Sequence, residues 1–327
     1  MKKNIILLIA LLPFALFGQN VAGDAICLSE SEYLSYPAVN FQMLQQASGR
    51  TFAPMAQFSG SVMLLTPTPG DQGSQGSCTA WATAYAALGT LAYDKFDQNM
   101  TLAKRSPAFV FNSIVNDDGE YRDKYTADAV RFISEQGTCS WNSMVYDQYD
   151  QATLPTNDNK FEAGINRALN YGAIHDVKDV MKYKEAIYLG YPVVVNLYVT
   201  NDFRSMWSGD GVWRKTDFTF RGNGHAVCVV GYDDSKKMFK VMNSWGTTGG
   251  DKGYFWVTYD LVSQGCFREA YVISDICEDV NPTISGNEKI CDSQLYSVVD
   301  LPTGAKVSWS STANFMFKRP FCIDVIM

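Results

Sequence analysis

Two hydrophobic rhythms divide the chain. Between residues 78 and 169 apolar side chains recur every three or four positions, the spacing of amphipathic helices. Beyond residue 190 they gather into short runs rich in Val, Ile, Tyr and Phe between turn residues, the mark of strands. The first half predicts a helix running uninterrupted from Cys78 to about Gly89. A second is started by Ser106-Pro107 and carried by residues 108–115. Asp117-Asp118-Gly119-Glu120 is a turn. Residues 125–136 form a further helix with Ala127, Val130, Phe132 and Ile133 inward, stopped by Gly137, and residues 160–169 a short one. In the second half a helix over 182–189 ends at Gly190. Strands follow over 192–199, 225–232, 238–243, 254–259 and 269–273. Helices first and strands afterwards predict an α+β protein of two packed lobes, with a substrate cleft between them.

Candidate chemistry sits where these elements begin. The polar stretch Gly70-Asp71-Gln72-Gly73-Ser74-Gln75-Gly76-Ser77 runs into Cys78 at the first turn of its helix. There the peptide dipoles favour thiolate over thiol, and thiolate is the nucleophilic form. The chain has only two histidines, His175 and His225. His225 opens a strand that the 233–237 turn joins to the next one. In a hairpin centred on residue 234, His225 and Asn243 face each other with Cβ atoms roughly 5 Å apart. A carboxamide in that place fixes the tautomer and tilt of an imidazole, unless a bulge shifts the register. His175 has no pattern around it and reads as a surface or satisfied core residue. Trp81, Trp207, Trp213 and Trp256 read as packing.

The segments Gln72–Trp81, Gly224-His225-Ala226-Val227 and Asn243-Ser244-Trp245-Gly246, in the order Cys, His, Asn, resemble the active-site motifs of papain-like cysteine peptidases. The resemblance runs from about residue 65 to 274. It implies a two-lobe fold with a helical left lobe and a β-barrel-like right lobe. It also implies a Cys78–His225–Asn243 triad, with the Gln72 side chain in the oxyanion hole, Trp245 covering the His–Asn pair, and no metal or organic cofactor. Gly119 would offer backbone hydrogen bonds to an extended peptide, and Tyr271 would floor the main side-chain pocket. Two positions depart from the family pattern. Gln75 stands where many members have a disulfide cysteine, and Thr79 where an aromatic follows the nucleophile. An exopeptidase using the same triad, or an inactive peptidase-shaped binding protein, is the alternative.

The ends and the charge set the context. Lys2 and Lys3, an apolar run to Phe17 and Gly18-Gln19 have the order of a secretory signal peptide over 1–19. Residues 20–60 are weakly patterned and read as a short prosegment or an N-terminal strap ahead of a 61–276 peptidase domain. The 277–327 tail is turn-rich and β-patterned like part of an immunoglobulin-like module, about half the length of a full sandwich and read as truncated. The formal charge of −7 becomes −9 without Lys2 and Lys3, which argues against a nucleic-acid partner. A secreted protein is thus expected, acting as a monomer on protein or peptide substrates, with no membrane association after signal cleavage. The eight cysteines include no C-x-x-C pair, so zinc is not expected. With Cys78 reduced an odd number remain, and Cys228, inside an apolar run, is the expected unpaired one.

Overall fold

The computed structural model describes residues 25–48, 59–95, 99–122, 124–164, 166–219 and 222–274, with two further short strands at Thr283–Ser285 and Ser297–Val299. The expected leader, residues 20–24 and 49–58 of the expected prosegment, and the tail apart from those strands lie outside the described residues. The two tail strands pair antiparallel, with Val298 opposite Ile284.

The helical half follows its capping signals. Helices α1 (Glu30–Ser35) and α2 (Phe41–Ser48) come first, and a short strand, β1 (Ser61–Met63), precedes the glycine loop. The long helix begins as α3 (Cys78–Ala80) and ends as α4 (Gly89–Lys95). Between them Trp81–Leu88 winds as a π-helix with all eight residues buried. The Ala-rich sequence predicts ordinary α-winding there and carries no sign of the wider turn. A one-turn α5 (Met100–Ala103) follows. Ser106 caps α6 (Pro107–Val115) by accepting the Phe109 N–H, with Pro107 at the first helical position. α7 (Thr126–Glu135) and α8 (Asn157–Gly164) complete this half. α8 lies earlier than the 160–169 expected, because residues from 170 onward join the sheet.

Eight strands form that sheet. They are β1, β2 (Asn170–Ala173), β3 (Val193–Tyr198), β4 (Val212–Trp213), β5 (Gly224–Asp233), β6 (Met238–Met242), β7 (Tyr254–Thr258) and β8 (Phe267–Ser274). The order is β2-β8-β3-β5-β6-β7-β4, with β1 against the far end of β5, and only β4 and β7 pair parallel. α9 (Val180–Leu189) is capped by Asp179 and stopped by Gly190 in the left-handed region, φ +102°. α10 (Asn201–Ser208) and α11 (Tyr259–Ser263) start at Thr200 and Thr258 caps.

β3 and β5 are buried on both faces, which is why they read as continuous apolar runs. Val194, Ala226, Cys228, Val230, Tyr271 and Ile273 join a core shared with α3, the π-helix, α6 and α7. Val193, Val195, Val227, Val229, Ala270 and Val272 face the other way, into a core with α9 and α10. The sheet therefore presents one face to the helical half, and the site forms at that junction.

Candidate active site

The glycine loop is stitched to the far side of the junction by main chain. Gln72 N donates to Ser244 O at 2.8 Å, Gly246 N donates to Gly70 O at 2.9 Å, and Asp71 and Trp245 pair as an antiparallel bridge. Gly70 lets the loop lie against the Trp81 ring, since a Cβ there would fall 2.2 Å from it. The Gln72 side chain is locked as well. Its Oε1 accepts from Ser244 Oγ at 2.6 Å and its Nε2 donates to Gln75 O at 2.8 Å. Tyr146 OH donates to Gln72 O and is bonded to Ser77 Oγ. Gln75, standing in place of a staple cysteine, is nonetheless anchored by its own bond to Asp150 O. Cys78 follows, fully buried, and α3 packs against β5.

His225 Nε2–H donates to Asn243 Oδ1 at 2.8 Å, and the same oxygen accepts the Ser244 N–H at 2.8 Å. The pairing arises differently from the simple hairpin. Cys228 faces Met242, a bulge lies between Val229 and Gly231, and the ladder is offset by two residues from the expected register. Asn243 has left the strand and reaches back to the ring. With Nε2 spoken for, Nδ1 is the imidazole's open nitrogen, buried and without a hydrogen-bond partner among the described residues. Burial pushes the ring down to about 4, partly opposed by the Asn243 bond and assisted by Arg204, so the imidazole is neutral at pH 7. Trp245 stacks on it at 4.7 Å with 27° between planes, and Trp207 and Phe203 meet Trp245 edge-on.

An N-terminal strap, Ala25 to Leu28, crosses this junction. Ala25 N donates to Gly224 O at 3.2 Å, directly before His225, and Ile26 N donates to Lys124 O at 2.7 Å, two residues before α7. Asn196 Nδ2 reaches Ile26 O and Thr126 Oγ1, and Leu28 N donates to Glu269 Oε1. Gly224 makes the crossing possible, because a Cβ there would lie 2.0 Å from Ala25 O. With the strap in place, Cys78, Gln72 and His225 are all buried.

The remaining expected positions fall as follows. Tyr271 is buried on the sheet face toward the helices, its OH donating to Glu269 Oε2 at 2.9 Å and its ring met edge-on by Tyr33 and Tyr36. Gly119 sits on an exposed turn with φ +114° and its N–H bonded to Asp117. The strap's main-chain partner on the helical side is Lys124 instead. His175 is exposed and bonds Tyr36 O at 3.0 Å. Cys139, Cys228 and Cys266 are free thiols, each pushed up by burial. Glu269 is raised to about 6, burial outweighing the Leu28 and Tyr271 bonds. Sequence reasoning passed over Glu269 and Asn196. An acid and an amide inside otherwise apolar strands were the available signal.

Residues 63–274 match the family model described as papain family cysteine protease. The chain belongs to the papain family of cysteine proteases. An uncharacterized peptidase C1-like protein of Acanthamoeba polyphaga mimivirus is 28% identical over 235 residues, which cover 67% of this chain and 73% of that one. A cathepsin B-like protein of Giardia intestinalis is 28% identical over 220 residues, covering 64% and 69%. Among solved structures, xylellain, a cysteine protease from Xylella fastidiosa, superposes with TM-score 0.59 at 23% identity, covering 79% of this chain and 98% of its own. The bromelain protease from Ananas comosus superposes with TM-score 0.53 at 20% identity, covering 66% and 98%. The papain-like α+β fold expected from the sequence is thus the observed one. The chain is a cysteine peptidase by family.

Proposed function

We propose that this papain-family peptidase is an exported endopeptidase, using Cys78 as nucleophile, His225 as base and acid, Asn243 as the residue that orients the ring, and Gln72 in the oxyanion hole. The observation that carries the reading is the tautomer. Asn243 Oδ1 has no proton to give, so His225 holds its proton on Nε2 and keeps the Nδ1 lone pair. On the next packed element stands Cys78, at a helix start. Nδ1 takes the thiol proton and the thiolate attacks the peptide carbonyl. The Cys78 N–H and the second N–H of Gln72 Nε2, the one not given to Gln75, hold the oxyanion. His225 protonates the leaving amine, and water hydrolyses the thioester. Trp245 shields the His–Asn bond from solvent.

The strap from Ala25 to Leu28 keeps the groove filled until it is displaced, the role expected of a short prosegment. Protein substrates met outside the cytosol by a monomeric enzyme fit the leader-like start and the acidic charge. Cys78→Ala should abolish both peptide hydrolysis and labelling by a thiol-directed epoxide under reducing conditions. Hydrolysis or site-directed labelling that survives in this variant removes Cys78 from its role.

A further inference from the structure

A recess of about 370 Å³ lies where β3 ends and β8 begins, bordered by the loop that follows β4. Trp213 and Cys266, two of its walls, belong to the core that the sheet shares with α9 and α10. The recess therefore backs onto that core and not onto the strap.

The side chains around it offer many hydrogen-bond donors and few acceptors. Trp213 is 1% exposed, and its Nε1–H is buried with no partner among the described residues. Edge-on contacts with Phe203 and Phe255 fix the indole. Thr200 Oγ1 accepts the Phe203 N–H and lies 3.0 Å from Thr216 Oγ1. One of the two hydroxyl protons closes that bond, which leaves the other to give. Burial pushes the Cys266 thiol up, so it stays protonated and is a weak donor. Exposed Arg268 lines the same recess, its guanidinium 5.7 Å over the Tyr198 ring and in no ion pair among the described residues. The acid nearby, Asp217, gives Oδ1 to the N–H and O–H of Thr219, at 2.9 and 2.6 Å. Phe218, 46% exposed, and the Tyr198 ring supply apolar surface.

A buried donor without an acceptor costs free energy that an incoming oxygen recovers. A guanidinium beside it favours an anionic oxygen over a neutral one. We propose that this recess is a binding site for a small carboxylate with an apolar body. The carboxylate oxygens face Trp213 Nε1, the Thr200–Thr216 pair and Arg268, and the apolar part lies against Phe218 and Tyr198. The site uses no member of the triad, and it stands whether or not the peptidase reading does.

The test uses the full chain with the strap in place, so that the groove is occupied. The probes are N-acetylphenylalanine and its carboxamide. Calorimetric titration should show one saturable site for the acid and roughly 10-fold weaker binding of the amide. The indole N–H resonance of Trp213, identified by its loss in Trp213→Phe, should shift in step with the heat. Arg268→Gln alters an exposed side chain and should weaken the acid about 10-fold while hardly changing the amide. Should Trp213→Phe fail to fold, the Arg268→Gln comparison decides alone. The inference is overturned if the acid does not bind, if acid and amide bind alike, or if Arg268→Gln leaves their ratio unchanged. Heat without a shift in any indole N–H resonance puts the acid elsewhere and overturns it as well.

Discussion

Adding one methyl group at Gly224 separates a strap that blocks the groove from one that merely lies along it. A Cβ there would stand 2.0 Å from Ala25 O and 3.0 Å from Ala25 C, both backbone atoms that cannot rotate away. Ordinary contact begins near 3.4 Å, so the strap must retreat by about 1.4 Å, and the 3.2 Å bond from Ala25 N to Gly224 O cannot persist. One such bond contributes about 1 kcal/mol, and the overlap loosens the adjoining Ile26–Lys124 bond as well. A total of about 2–3 kcal/mol raises the uncovered fraction roughly 30- to 150-fold. The assay is the alkylation rate of Cys78 by iodoacetamide in the unprocessed chain, read by peptide mass. Cys228, fully buried in the core, serves as the internal check on folding. Gly224→Ala should accelerate Cys78 labelling by about that factor and leave Cys228 unmodified. An unchanged Cys78 rate in a folded variant would refute the view that the strap covers the thiol.

Two further outcomes follow from the His–Asn pair. Asn243→Ala strips the acceptor from both the His225 Nε2–H and the Ser244 N–H. It should cost about 2–4 kcal/mol in urea unfolding and lower kcat roughly 100-fold; undiminished kcat would show that the ring needs no orienting partner. His225 sits near 4 in the folded chain against an ordinary 6.5, so its share of stability is complete above pH 6.5 and is lost as pH falls toward 4. Glu269, raised from 4.5 to about 6, acts in the opposite sense, its burial cost easing as pH falls below 6. His225→Gln should therefore flatten the acid-side loss by up to about 3 kcal/mol, and an identical pH–stability curve would contradict the burial account.

The chemistry was more legible than the geometry that delivers it. The Ser106 cap and the Gly190 stop are local, and they put those helices within a residue or two of their places, while the Asp179 cap that starts α9 two residues before the expected 182 was not read. The α+β division was legible because β3 and β5 are apolar on both faces while α7 is apolar on one. α10 and β2 were not legible. The Thr200 cap is one residue in a mixed stretch, and Asn170–Ala173 becomes a strand only because β8 lies alongside. The pairing of His225 with Asn243 was legible, but its register was not, since the Val229–Gly231 bulge is set by neighbouring strands. The strap was legible least of all. Its four residues carry no periodicity, and what holds them is the main chain of Lys124 and Gly224 and the side chains of Asn196 and Glu269, some 100 to 240 positions away.

The stitching of the glycine loop to the segment after β6 works like the spine of a book. Bonds from Gln72 and Gly246, with the Asp71–Trp245 bridge, clamp the covers together at the thiol end. Because these bonds run between backbone atoms, exchanging side chains along either segment leaves the hinge between the loop that carries Gln72 and the segment that carries Asn243 in place.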